Sequence, residues 1–212
     1  MPSSSHRRIP LLALLSAALL VPAAASAAAP SKGVVRPSKG SVRASIALVP
    51  VTARAAQQDC RNTDVTPNEG NEPAIREAIL CLHNQIRAER DLPSLREDTR
   101  LRKAAIGHSA DMVGRRYFEH TAPSGATMVD RIMAARYASR NVGWSLGENL
   151  AWGTGSMATP RGIMKAWMDS PGHRANIVKR SYREIGIGIV TGTPTGGGSG
   201  ATYTADFGVI RR

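Results

Sequence analysis

Aromatic side chains are scarce in this 212-residue chain: three Trp, four Tyr and two Phe, 4% of the total. Basic–aromatic recognition stretches are missing with them, so no specific nucleic-acid binding is expected. Cysteine is limited to Cys60 and Cys81, neither with a second thiol at C-x-x-C spacing, which argues against a structural zinc site. Acidic residues are few, 16 against 28 Lys and Arg, leaving a formal charge of +12. Such an excess draws a protein to anionic surfaces, whether wall polymers or lipid headgroups. No H-E-x-x-H helix and no G-x-S-x-G elbow occur, so neither a pre-assembled zinc protease site nor a recognisable serine nucleophile is present.

Long apolar runs are missing as well. The longest, Ile9 to Val21, falls short of the ~20 residues that span a bilayer, so no transmembrane segment is expected after processing. It follows His6, Arg7 and Arg8 and precedes a small-residue cleavage site after Ala27, which reads as a signal peptide over residues 1–27. A secreted, extracellular protein is the expectation. Residues 28–70 read as a basic Ala/Pro/Ser-rich linker, with six Lys or Arg against three acidic residues, and the folded domain is expected over 71–212. Two cysteines in an exported chain favour one disulfide between Cys60 and Cys81. Closing a loop of that length is worth about 3 kcal/mol.

What is present has clear periods. Ile75, Ile79, Leu82 and Ile86 fall on one helical face behind Asn71 as N-cap, with Cys81 at its margin. A second helix is expected over Glu97 to Arg115, a third over Thr127 to Tyr137 and a fourth from Pro160 to Asp169, ended by Pro171. The segment "SLGENLAWG" reads as a short extended or turning piece. Beyond it the period becomes two: Ile185, Ile187 and Ile189 alternate with bare Gly186 and Gly188, and "TYTADFGVI" returns across a Gly-rich hairpin loop. Helices followed by a hairpin predict an α+β fold, with helices covering an antiparallel sheet.

Four histidines follow the expected cleavage site. His108 lies on the apolar stripe of the second helix and reads as a hydrogen-bonded core residue, and His83 on the flank of the first reads as a local bonding group. His120 and His173 sit on irregular segments, where side chains can converge. Glu148 is an isolated carboxylate in an apolar stretch and needs a partner if buried. Two imidazoles and a carboxylate can hold zinc with one position open to water, although these spacings are long; alternatively Glu148 and His173 bond loop backbone and pin a corner.

Five pieces in order, "LHNQIRAERDLPSL", "AAIGHSADMVGRRYFEHT", "GENLAWG", "AWMDSPGHRANIV" and "EIGIGIV…YTADFG", resemble the CAP superfamily of cysteine-rich secretory, venom-allergen and pathogenesis-related proteins, in its bacterial SCP-like form. The resemblance covers about residues 74–208 and implies a three-layer α-β-α sandwich with a central cleft. It maps the cleft histidines to His120 and His173 and one glutamate to Glu148. The second glutamate position carries Ser170, with Asp169 just before it, which weakens the implied divalent-metal site. The resemblance implies zinc or another divalent ion as the cofactor, held by His120, His173 and Glu148.

Three functions follow as expectations. The first is binding of a lipid, small hydrophobic molecule or wall component in a His/Glu-lined cleft, beside a groove that Trp144, Trp152 or Trp167 could line. The second is a metal-dependent hydrolase or peptidase using His120, His173 and Glu148. The third is a basic protein held to an anionic envelope surface by its linker.

Overall fold

The computed structural model describes residues 59–196 and 199–211. The expected signal peptide and the linker as far as residue 58 lie outside the described residues. Residues 59–70, assigned to the linker by composition, lie against the domain. Cys60 is bonded to Cys81. The guanidinium of Arg161 donates to Asp64 through Nε at 2.8 Å, and the Arg161 amide donates to the Thr63 carbonyl.

Helix α1 (Glu72–Ala88) buries Ile75, Ile79 and Leu82. Asn71 stands at its N-cap position but does not cap it: Oδ1 accepts from the Asn68 amide and Nδ2 donates to the Thr66 carbonyl, so the side chain ties the incoming loop instead. Strand β1 (Arg96–Glu97) takes Glu97, the residue expected at the helix start. Asp98 is what starts helix α2 (Thr99–Arg115), accepting from the amides of Arg100 and Leu101. Helix α3 (Met128–Ala134) is shorter than its apolar pattern suggested. It opens on a capping box between Thr127 and Asp130 and is closed by Arg136, whose φ of 63° is left-handed.

Strand β2 (Gly143–Thr154) is the largest departure from the sequence reading, twelve extended residues in place of a short turning piece. Helix α4 (Pro160–Asp169) is capped by Thr159. Pro171 does more than stop it. It occupies the first turn of a further helix, α5 (Pro171–Ile177), so His173 lies inside a helix rather than on an irregular corner. Strands β3 (Glu184–Thr191) and β4 (Gly200–Arg211) form the expected hairpin.

The sheet runs β1-β3-β4-β2. Its three long strands are antiparallel, while β1 joins β3 in parallel, so the sheet is mixed rather than wholly antiparallel. Helices lie on both faces, giving three layers in an α+β fold. One face carries α1, α4 and α5 over Ile185, Ile187, Ile189, Tyr203 and Phe207. The other carries α2 and α3, with Leu101 and Ile132 packed near Trp144, Leu146 and Ile210. A Cβ at Gly186 or Gly188 would overlap the α2 backbone at Leu101–Arg102 and Ala105–Ile106. The bare face of β3 is therefore where α2 lies flat on the sheet.

Candidate functional site: a buried carboxylate pair at the edge strand

Alternation along β2 turns Glu148 toward the α2/α3 layer, and its side chain is 2% exposed. A carboxylate buried this far needs donors, and it has two. Oε1 accepts from His120 Nδ1 at 2.8 Å, and Oε2 accepts from Arg131 on α3 at 2.6 Å. Arg131 also donates to the carbonyls of His120 and Ala126, both at 3.1 Å. One guanidinium therefore fixes the carboxylate and also the loop that carries the histidine. Burial opposes the charge on Glu148 most strongly, yet the His120 bond and the Arg131 charge outweigh it and hold the group below the usual range.

The same bond raises His120: its hydrogen bond to Glu148 favours the protonated ring, against partial burial. With Glu148 ionised, Nδ1 carries a proton and donates, leaving Nε2 toward the outside. His173 reaches the same region from the opposite layer. Burial lowers its pKa first, and the charge of His120 lowers it further, so the two rings lie within electrostatic reach. Asn149, fully buried beside Glu148, donates to the His173 carbonyl at 3.0 Å. Asn176 donates to Asn149 at 2.9 Å and to the Glu148 carbonyl at 3.2 Å. These bonds lock α5 onto β2, an edge strand of the sheet.

The structure thus joins His120 to Glu148 and brings His173 alongside, without a bond from its ring to either. Ser170 stands between α4 and α5 as an N-cap without a side-chain cap bond and is not joined to the pair. Asp169 turns outward to Lys165 at 2.6 Å and does not replace the missing carboxylate. Trp167 is wholly buried, its indole donating to the Leu150 carbonyl, and Trp144 packs in the α2/α3 core. Of the three tryptophans only Trp152 is exposed, at 40%. Of the three residues expected beside a groove, Trp167 is therefore a core residue and Trp152 is the one open to solvent.

The implied metal does not fit this donor arrangement. Both oxygens of Glu148 already accept, one from a guanidinium that a divalent ion would have to displace. Among the described residues, no three of His, Cys, Asp and Glu come together in a group able to hold an ion.

Two residues of the site were missed in the sequence. Arg131 is one. The other is Asp206, directly across from Glu148 in the β2–β4 register and wholly buried. As a carboxylate, neither of its oxygens would have a donor. As an acid it can donate to Glu148, and burial, followed by the Glu148 charge, raises its pKa well above the usual range. A signal existed: Asp206 shares a strand face with Thr202 and Thr204, and an acid on a central strand needs a reason.

The chain has clear counterparts among known proteins. Residues 80–207 match the CAP family, described as the cysteine-rich secretory protein family. The chain belongs to the CAP family. YkwD, an uncharacterized protein of Bacillus subtilis, is 31% identical over 157 residues, 74% of this chain and 56% of its own length. YlbC, an uncharacterized membrane protein of the same organism, is 28% identical over 52% of this chain and 30% of its own length. This CAP chain thus spans about half, or less, of the length of these curated relatives. An SCP-domain extracellular protein from Bacillus anthracis superposes with a TM-score of 0.53 at 27% identity, covering 69% of this chain and 45% of that one. An outer surface protein of Borrelia burgdorferi superposes at 0.55 and 20% identity over 66% of this chain and 96% of its own, a likeness of CAP fold alone.

Proposed function

We propose that this CAP domain acts at or outside the cell envelope as a binding protein for a wall component, recognised at the β2 rim by His120 and His173. The observation that carries the reading is the fate of Glu148. Its oxygens are used inside the protein, by His120 and Arg131, so it positions an imidazole rather than meeting a ligand itself. What faces outward is hydrogen-bonding: the free Nε2 of His120 and the half-buried ring of His173. Trp152, four residues from Glu148 on the same strand face, adds an exposed ring of the kind that packs on a sugar. A hydroxyl-rich glycan suits this rim better than an acyl chain. Support for the location comes from the relatives, one an extracellular protein and one an outer surface protein. Among the described residues no helix is long and apolar enough to cross a membrane. Metal-dependent hydrolysis is not adopted, because Glu148 would first have to leave Arg131.

The test is co-sedimentation of the protein with purified peptidoglycan sacculi near neutral pH, beside His120→Ala and His173→Ala variants. Binding that is lost in both supports the reading. Sacculi that leave the wild type in solution, or that carry down both variants equally, would end it.

A further inference from the structure

A cavity of about 810 Å³ lies where β1, the start of β3 and the end of β4 meet α2 and the end of α3, and it shares no residue with the His120–Glu148 site. That size is typical of small-molecule sites. Four arginines from four segments converge on it: Arg96 on β1, Arg100 on α2, Arg136 after α3 and Arg183 before β3. The only acidic lining residue is Glu184, and it is largely occupied, with Oε2 accepting from the Tyr137 hydroxyl at 2.6 Å and Oε1 at 3.7 Å from Arg96. Arg100 is paired with Asp98 at 2.7 Å and lies over the Tyr137 ring. The remaining two are not neutralised. Arg183 donates only to the carbonyls of Arg180 and Tyr182, and Arg136 meets no carboxylate among the described residues.

The placing of Arg136 matters. It is the left-handed residue that closes α3, its amide bonded to the Met133 carbonyl and the next amide, Tyr137, to that of Ile132. This is the terminating pattern that glycine serves best, because a side chain there is strained. An arginine in that position gives the helix nothing that glycine would not, but it delivers a guanidinium to the cavity. Met133, Val142, Val209 and Ile210 add apolar atoms to the lining.

Two uncompensated guanidiniums over a partly apolar floor are matched by a group with two negative charges, several acceptor oxygens and a hydrocarbon arm. Planar guanidinium forks bind phosphate oxygens in pairs, which a carboxylate can satisfy only once. We propose that this cavity is a binding site for the phosphate of an organic phosphate ester that carries an apolar arm. Free esters and lipid headgroups share that chemistry.

The experiment is calorimetric titration of the folded protein with hexyl phosphate and with inorganic phosphate. It is run on the wild type, on an Arg136→Gly/Arg183→Gln variant, and on an Arg61→Gln/Arg90→Gln control that loses the same charge elsewhere. Hexyl phosphate is expected to saturate one site more tightly than inorganic phosphate. The cavity variant should weaken it by at least about tenfold, the control leaving it nearly unchanged. Arg136→Gly should keep its melting temperature or raise it, so lost binding could not be blamed on lost folding. Sedimentation with phosphatidylcholine vesicles containing phosphatidic acid, abolished in the cavity variant, would assign the ligand to a lipid headgroup. Saturation by hexyl phosphate without sedimentation would assign it to a free ester. Absence of saturable hexyl phosphate binding, or equal loss in cavity variant and control, would overturn the site and reduce it to diffuse positive charge.

Discussion

His83 shows how a single residue can be half legible. Its local bond was foreseen, and Nδ1 does donate to the Ile79 carbonyl at 2.8 Å. Its position was not, because a helix flank becomes interior once α4 and β4 close over it, and the ring now lies between Trp167 and Phe207. Burial lowers its pKa from 6.5 to about 4. The unfolded chain takes up a proton below pH 6.5 and the folded one does not, so stability is complete above that pH and is lost as pH falls toward 4. The loss amounts to about 3 kcal/mol. Urea unfolding at pH 7 and pH 4.5 should show it, with a shallower dependence in His83→Gln. Asp206 acts in the opposite sense. Its raised pKa makes folding take up a proton above the ordinary value of 3.8, so the penalty grows with pH until the folded pKa is reached. Asp206→Asn keeps a donor to Glu148 without titrating. It should be the more stable protein at pH 7, by about 1.4 kcal/mol per pH unit gained over that interval, with the difference gone below pH 4. Equal stabilities at pH 7 would mean that folding does not raise the Asp206 pKa.

Among the elements, those with long apolar periods were legible and those set by pairing were not. Helices α1, α2 and α4 followed their stripes to within a few residues. Strand β1 could not be read, since two residues carry no period and only their parallel pairing with Glu184 and Ile185 makes them a strand. Strand β2 was hidden because Gly147, Glu148 and Asn149 break its alternation in favour of the site. Helix α5 is short and rich in weak helix formers, and owes its existence to Pro171 and to the Asn149–Asn176 bonds. The bare face of β3 was visible as two glycines, but what they admit was not. Gly188→Ala should drive a methyl into the α2 backbone and cost about 3 kcal/mol or more, measured by chemical denaturation. A tolerated alanine would show that α2 can lift from the sheet. The Cys60–Cys81 bond ties residues 59–70 to α1. Replacing both cysteines with serine should cost about 3 kcal/mol and free that segment to proteolysis ahead of the domain.

On the scale of the molecule, the sheet order is the feature with the longest reach. Strand β4 comes last of the described strands in sequence yet sits between β3 and β2, bonded to both. Among the described residues nothing before it completes the sheet: β2 pairs with β4, and Asp206 comes to Glu148 only with β4. Contacts of this range close late, because the loop entropy comes before the reward. During synthesis α1 can form and meet Cys60 early, while β2 waits with its inward face uncovered until β4 has emerged. The neighbourhood of Glu148 and Asp206 is thus assembled last, when β4 closes the sheet.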